Sequence, residues 1–137
     1  MTKTLSATIA AAFAAAALST AAAAAPAAAP AAAAMPVGNA AAGEKVFNQC
    51  KVCHVAEKGV NRVGPSLWGV VGRKSSMVPG YTYSAANKKS GLTWDAKTLF
   101  VYLAAPQKLV PGTKMSYAGL KKPQDRADII AYLKTKA

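Results

Sequence analysis

Cys50-Lys51-Val52-Cys53-His54 sets two thiols three positions apart and follows the second with an imidazole. This is the pattern through which a polypeptide attaches a c-type haem covalently. Each thiol adds to one vinyl group on the same edge of the porphyrin, so both sulfurs must leave a short turn in one direction. Two intervening residues allow that, and His54 then lies beneath the ring, where a neutral imidazole nitrogen ligates iron along the axis normal to the macrocycle. Two other readings of paired cysteines compete. A structural zinc site needs four ligands, yet the 137-residue chain holds only these two cysteines and one histidine. A redox-active disulfide of the thioredoxin kind belongs to a strand followed by a helix, a context this sequence lacks.

With His54 the only histidine, a second imidazole cannot close the sixth coordination position, and methionine is the natural candidate. Met1 is the initiator, Met35 lies in a low-complexity stretch, and Met77 sits in the polar loop Ser75-Ser76-Met77-Val78-Pro79-Gly80. Met115 remains, in Pro111-Gly112-Thr113-Lys114-Met115. A lone methionine is ordinarily core filler. Here Pro and Gly shape a loop just before it and no helical apolar periodicity surrounds it, so the backbone can aim the thioether. His54 and Met115 are the candidate axial ligands.

Further segments follow in order: Gly64-Pro65-Ser66-Leu67, Val70-Val71-Gly72-Arg73-Lys74, Gly80-Tyr81-Thr82-Tyr83-Ser84-Ala85-Ala86-Asn87-Lys88, Thr93-Trp94 and Ile130-Ala131-Tyr132-Leu133-Lys134. Together with the haem motif and the methionine loop, they make the stretch from about Gly43 to Lys136 resemble class I cytochromes c, mitochondrial and soluble alpha-proteobacterial. The resemblance implies an all-α cytochrome c fold, three main helices plus a short helix and long loops around one covalent haem c. It also implies roles for single residues. The Pro65 carbonyl would accept the hydrogen bond of the second His54 ring nitrogen and fix the imidazole. Tyr83 and Trp94 would reach the buried haem propionate, with Arg73 and Asn87 in the same polar network, offsetting the cost of burying that charge. Tyr102 would stand near the methionine sulfur, with Thr113 a hydroxyl donor beside it. Without the resemblance, Pro65 reads as a turn residue and the aromatics as core. Two departures from the mitochondrial pattern stand out: Phe47 precedes Cys50 by one residue fewer, and Gln49 replaces a basic residue before the first cysteine.

Residues 1–25 contain Lys3, an apolar run from Leu5 to Leu18 and then small residues suited to cleavage, the pattern of a secretory signal peptide. Residues 26–40 read as an Ala/Pro-rich flexible tail or tether and residues 41–137 as the cytochrome domain. An uncleaved anchor is the alternative, although a spanning helix needs ~20 predominantly apolar residues and alanine is a weak membrane residue. Export suits the haem motif, because attachment needs reduced thiols presented before oxidation pairs them. The implied compartment is a bacterial periplasm.

Helices are expected from about Ala41 to the haem motif; from Ser84 to Lys89, with Ser84 as cap and Gly91 beyond the end; and after Thr93, with Asp95 in the first turn, stopping before Pro106. The last helix opens at Pro123, with Asp125 and Asp128 early and Lys134 and Lys136 late, an order that complements the helix dipole. No convincing strand pairs appear between Val55 and Tyr83. A domain of about 95 residues has a limited core of its own, and a porphyrin packed by Phe47, Leu67, Leu92, Leu99, Leu103, Val110 and Leu133 would supply the missing apolar mass.

Seventeen basic side chains face five acidic ones. Without Lys3 the basic count is sixteen and the net charge +11, and two ionised propionates bring the holoprotein to about +9. Nothing among these charges has base-contacting chemistry, so no nucleic-acid partner is implied. The bias instead suits a monomer steered to acidic docking surfaces. By resemblance, Lys51, Arg62, Lys108, Lys114, Lys121 and Lys122 ring the exposed haem edge. The family takes electrons from a quinol-oxidising cytochrome complex and delivers them to a terminal oxidase, reductase or photosynthetic reaction centre. A rival reading, in which Met115 does not ligate and the open iron acts as a peroxidase or gas sensor, lacks a distal histidine for acid–base work.

Overall fold

The computed structural model describes residues 34–137; the expected signal segment 1–25, and the tail as far as residue 33, lie outside the described residues. Five helices follow one another: α1 (Ala40–Phe47), α2 (Ala85–Lys89), α3 (Ala96–Tyr102), α4 (Pro106–Leu109) and α5 (Pro123–Lys134). Each start has a local cause. Asn39 caps α1 by accepting the Ala42 N–H at 3.0 Å, and Ser84 caps α2 through the Asn87 N–H at 3.0 Å. Asp95, expected inside the first turn of α3, stands one position earlier as its cap, accepting the Thr98 N–H at 2.8 Å. Pro123 opens α5, where its missing N–H is not required.

The fourth helix adds to the expected three main helices and one short one. Pro106 ends the run of α3 as anticipated, but it also occupies the first position of α4, where its fixed φ favours a helical turn. A proline read only as a stop was also a start.

α1 crosses α5, and Gly43 makes the crossing possible: a Cβ at this position would collide with the Asp128 carbonyl and lie 2.8 Å from the Tyr132 Cβ. Phe47 and Tyr132 then stack at 5.1 Å between ring centroids. Ile129 and Ile130, each 1 % exposed, anchor the centre of α5. Of the expected core, Phe47, Leu99, Leu103, Val110 and Leu133 are buried, whereas Leu67 and Leu92 are half-buried and pack against it.

Two described residues at the end of the expected Ala/Pro-rich stretch 26–40 are tied to α5. The Asn39 N–H donates to the Asp128 carboxylate at 2.7 Å, and Gln124 Nε2 donates to the Val37 carbonyl at 2.8 Å. Asp128 is thus buried and engaged with the entry to α1, so its carboxylate does more than complement the dipole of its own helix. Arg126, also buried, donates to the carbonyls of Leu120 and Lys121 at 2.7 and 3.0 Å and lies 4.4 Å over the Phe100 ring.

The long segment between α1 and α2 is irregular, held by backbone bonds to the residues before α3. Gly72 N–H donates to Trp94 O at 2.9 Å, Trp94 N–H to Arg73 O at 2.8 Å and Ser75 N–H to Leu92 O at 2.7 Å. These form one isolated bridge, Lys74 to Thr93, and no strand exists among the described residues. No helix among those residues is long and apolar enough to cross a membrane.

Candidate haem site

Beyond Phe47 the chain keeps winding. The Cys50 N–H donates to Phe47 O at 2.8 Å, while the N–H groups of Cys53 and His54 both reach Cys50 O, at 3.0 and 2.8 Å. One turn therefore carries both cysteines at a separation that puts their side chains on the same side. Both thiols are free and half-buried. Burial, with Cys53 as a second cause, pushes the Cys50 thiol up to about 11, so at neutral pH it resists forming the oxidation-prone thiolate.

His54 is held from two directions. Its Nδ1–H donates to the Pro65 carbonyl at 2.7 Å, which leaves Nε2 as the nitrogen with a free lone pair. Gly64 lies flat against the ring, where a Cβ would stand 2.6 Å from each ring nitrogen. Burial lowers the pKa of His54 against the opposing effect of the Pro65 bond. The imidazole is thereby favoured in the neutral form that binds metal. The supporting loop is itself fixed: Gly64 N–H bonds Cys53 O at 2.8 Å and Leu67 N–H bonds Val55 O at 2.8 Å. Asn61 accepts the Ser66 N–H at 3.0 Å and donates to Pro79 O at 2.9 Å.

Met115 is half-buried and packs against the core. The Tyr102 hydroxyl, presented at the end of α3, donates to its sulfur at 3.2 Å. Thr113, expected as a hydroxyl donor beside the sulfur, accepts the Met115 N–H through Oγ1 at 3.3 Å, which leaves its own proton available to donate. Burial raises the Tyr102 pKa, and the neighbouring Thr113 hydroxyl works the other way. Trp94 is buried and stacks on Tyr102 at 4.7 Å.

The polar group splits into two neighbouring sets. Arg73 donates to Trp68 O at 2.6 Å and Ser66 O at 2.9 Å, with its charge beside Tyr83. Burial pulls its pKa below the usual guanidinium value, and Tyr83 opposes that. The Tyr83 hydroxyl accepts the Val78 N–H at 3.3 Å, and its pKa is raised chiefly by burial. Asn87 takes a hydrogen bond from the Ser75 hydroxyl through its side-chain oxygen.

Three residues escaped sequence reasoning. Gly64 is marked in the sequence only as the first residue of the segment Gly64-Pro65-Ser66-Leu67, with no role of its own. Ser75 was one of several loop serines. Tyr117 donates to Gln49 Oε1 at 3.0 Å, tying the methionine loop to the residue before Cys50 across 68 positions; no local pattern signals such a pair. Lys114 Nζ adds a second tie, to Thr82 O at 3.1 Å.

One imidazole nitrogen left free by its partner, one thioether and two free thiols on a single turn fit a covalently attached haem. Such a helical shell defines the class of small haem-bearing electron-transfer proteins. The cytochrome c family model matches residues 40–137. The chain is 56% identical over 101 residues to cytochrome c2 of Rhodopila globiformis, covering 73% of this chain and 95% of that protein. It is 50% identical over 101 residues to cytochrome c of Nigella damascena, covering 72% and 91%. Among solved structures it resembles cytochrome cH from Methylobacterium extorquens with a TM-score of 0.69 and 58% identity, over 72% of this chain and all of that one. The chain belongs to the cytochrome c family. It is accordingly an electron carrier between redox partners, built on covalent haem c, and not an enzyme.

Proposed function

We propose that His54 and Met115 are the two axial ligands of the iron, that Cys50 and Cys53 carry the thioether bonds, and that the protein is a periplasmic shuttle. Its donor is a quinol-oxidising cytochrome complex, and its acceptor a terminal oxidase, reductase or photosynthetic reaction centre. When bound, the haem supplies one-electron chemistry between ferrous and ferric iron through its edge. The observation that supports the ligand set best is the 2.7 Å bond from His54 Nδ1 to Pro65 O, which commits one nitrogen and directs the other to metal. Tyr102 orients the Met115 sulfur, and a thioether ligand favours the ferrous state. Arg73, Tyr83, Asn87 and Trp94 are proposed to serve the propionate, with Pro65, Tyr102 and Thr113 beside the ligands.

Export is supported by the segment 1–25 and by the need to keep the thiols reduced until attachment; residues 41–137 form the proposed haem domain. The ferric protein is expected to show the far-red sulfur-to-iron band, and Met115→Ala to lose it while the pigment survives acid–acetone extraction. A band that persists in Met115→Ala would reject the assignment. For docking, the six basic residues of the proposed ring are all exposed, but they are not equivalent. Lys51, Lys114 and Lys121 hydrogen-bond within the chain, whereas Arg62, Lys108 and Lys122 donate no side-chain hydrogen bond among the described residues. Reversing Lys108 and Lys122 together should slow electron transfer several-fold at low ionic strength and little at high. A salt dependence equal to the parent's would reject steering through this face.

A further inference from the structure

We infer that the hydrogen bond from the Tyr117 hydroxyl to Gln49 is the pin that keeps the methionine segment closed over the iron, which makes Tyr117 and Gln49 positioning residues for Met115. The inference rests on Met115 as an axial ligand and concerns what holds it there. Residues 114–119 make no backbone-to-backbone hydrogen bond among the described residues. The flanking ones are Thr113 N–H to Val110 O at 3.1 Å before the segment and Leu120 N–H to Leu103 O at 2.7 Å after it. A stretch with no backbone bonds of its own opens at little cost unless side chains hold it.

Side chains do hold it, at unequal places. Lys114 Nζ reaches Thr82 O at 3.1 Å, Tyr102 reaches the sulfur, and Lys121 Nζ reaches Ala118 O at 2.9 Å. None of these touches the turn that carries the cysteines. The Tyr117 hydroxyl does, donating to Gln49 Oε1 at 3.0 Å. Gln49 stands on firm backbone: its N–H bonds Val46 O at 3.2 Å and the Cys50 N–H bonds Phe47 O at 2.8 Å, so the turn continues α1. The phenol ring is itself half-buried and packs against the core, which limits the entropy lost in aiming its hydroxyl. One bond thus fastens a loop without internal support to the end of the helix that crosses α5. The residue type at position 49 matters for the same reason. The mitochondrial pattern has a basic residue there, a side chain with donors and no acceptor, whereas glutamine supplies the oxygen that a phenol can bond. The tie follows from this chain's own departure from that pattern.

The ferric holoprotein is titrated with imidazole, whose nitrogen replaces the Met115 sulfur on the iron with no electron moved, and loss of the far-red band reports the exchange. Tyr117→Phe removes only the hydroxyl, and Gln49→Ala removes the acceptor from an exposed position. Each should bind imidazole roughly fivefold more tightly than the parent, the worth of one hydrogen bond. The double variant should bind no more tightly than either single one, because both remove the same contact. Asp95→Ala, which weakens the α3 cap and touches neither residue, controls for general loosening and should keep the parental affinity. Single variants with parental affinity, a double variant whose effect is the product of the two, or a fivefold gain in Asp95→Ala overturns the inference. A parent without the far-red band would remove the Met115 reading and this one with it; with the band present and imidazole binding unchanged in the variants, only the tie falls.

Discussion

The α1/α5 crossing and the loop shell around the haem motif are assembled on opposite terms. At the crossing, Asp128 takes the Asn39 N–H and Arg126 the Leu120 and Lys121 carbonyls, leaving the buried Arg126 Nε without a partner, and the rest is apolar contact through Ile129, Ile130, Phe47 and Tyr132. In the shell, side chains reach backbone carbonyls across irregular loops and leave one nitrogen of His54 over. A region closed by contacts within the chain can set the fold, whereas a region that leaves a ligating nitrogen over is shaped for a group the chain must acquire. Small residues serve both, but for different neighbours: Gly43 admits a helix backbone, Gly64 an imidazole ring.

The sharpest way to break this contrast is Gly43→Val. The new side chain would meet the Asp128 carbonyl, so the helices must separate, and the denaturant midpoint should fall by the equivalent of about 3 kcal/mol. A loss within the scatter of surface substitutions would mean that the crossing is not the rigid half. Next comes Gly64→Ala, whose added methyl meets the His54 ring instead of a helix. Destabilisation of roughly 1–2 kcal/mol is expected, together with a displaced Soret maximum and a weakened far-red band, signals that Gly43→Val should leave largely intact while folded. Were Gly64→Ala to lower stability with an unaltered spectrum, the ring contact would be structural only.

The smallest effect tests a residue outside both regions. Asp95 caps α3, and the Thr98 N–H holds its carboxyl below the ordinary carboxylate range. A depressed folded-state pKa gives stability that is present above the unfolded pKa and disappears as pH falls through the folded one. Asp95→Ala should therefore melt slightly below the parent at neutral pH, and the two melting temperatures should converge in acid. A gap independent of pH would assign the difference to helix geometry rather than to the ionised cap.

Much of the architecture was legible because its signals are local. Asn39 and Ser84 cap helices by bonds spanning three residues, and Pro123 opens α5 by its own φ. α4 was not legible, because Pro106 carries the same signal for ending one helix and starting another. The firm seat of residues 37–39 on α5 was hidden too, since an Ala/Pro-rich composition looks the same whether or not a distant Asp128 and Gln124 receive its backbone.

The amino-acid order alone determined the covalent unit, because two thiols and an imidazole within five residues are brought together by a single turn whatever surrounds them. Tertiary structure decided which nitrogen of His54 stays free, which hydroxyl reaches the Met115 sulfur and how Tyr117 closes on Gln49. Those contacts join segments 11, 13 and 68 positions apart. Short-range geometry follows from backbone dihedrals, while pairings over such separations exist only once packing has overcome the entropy of closing the chain between them.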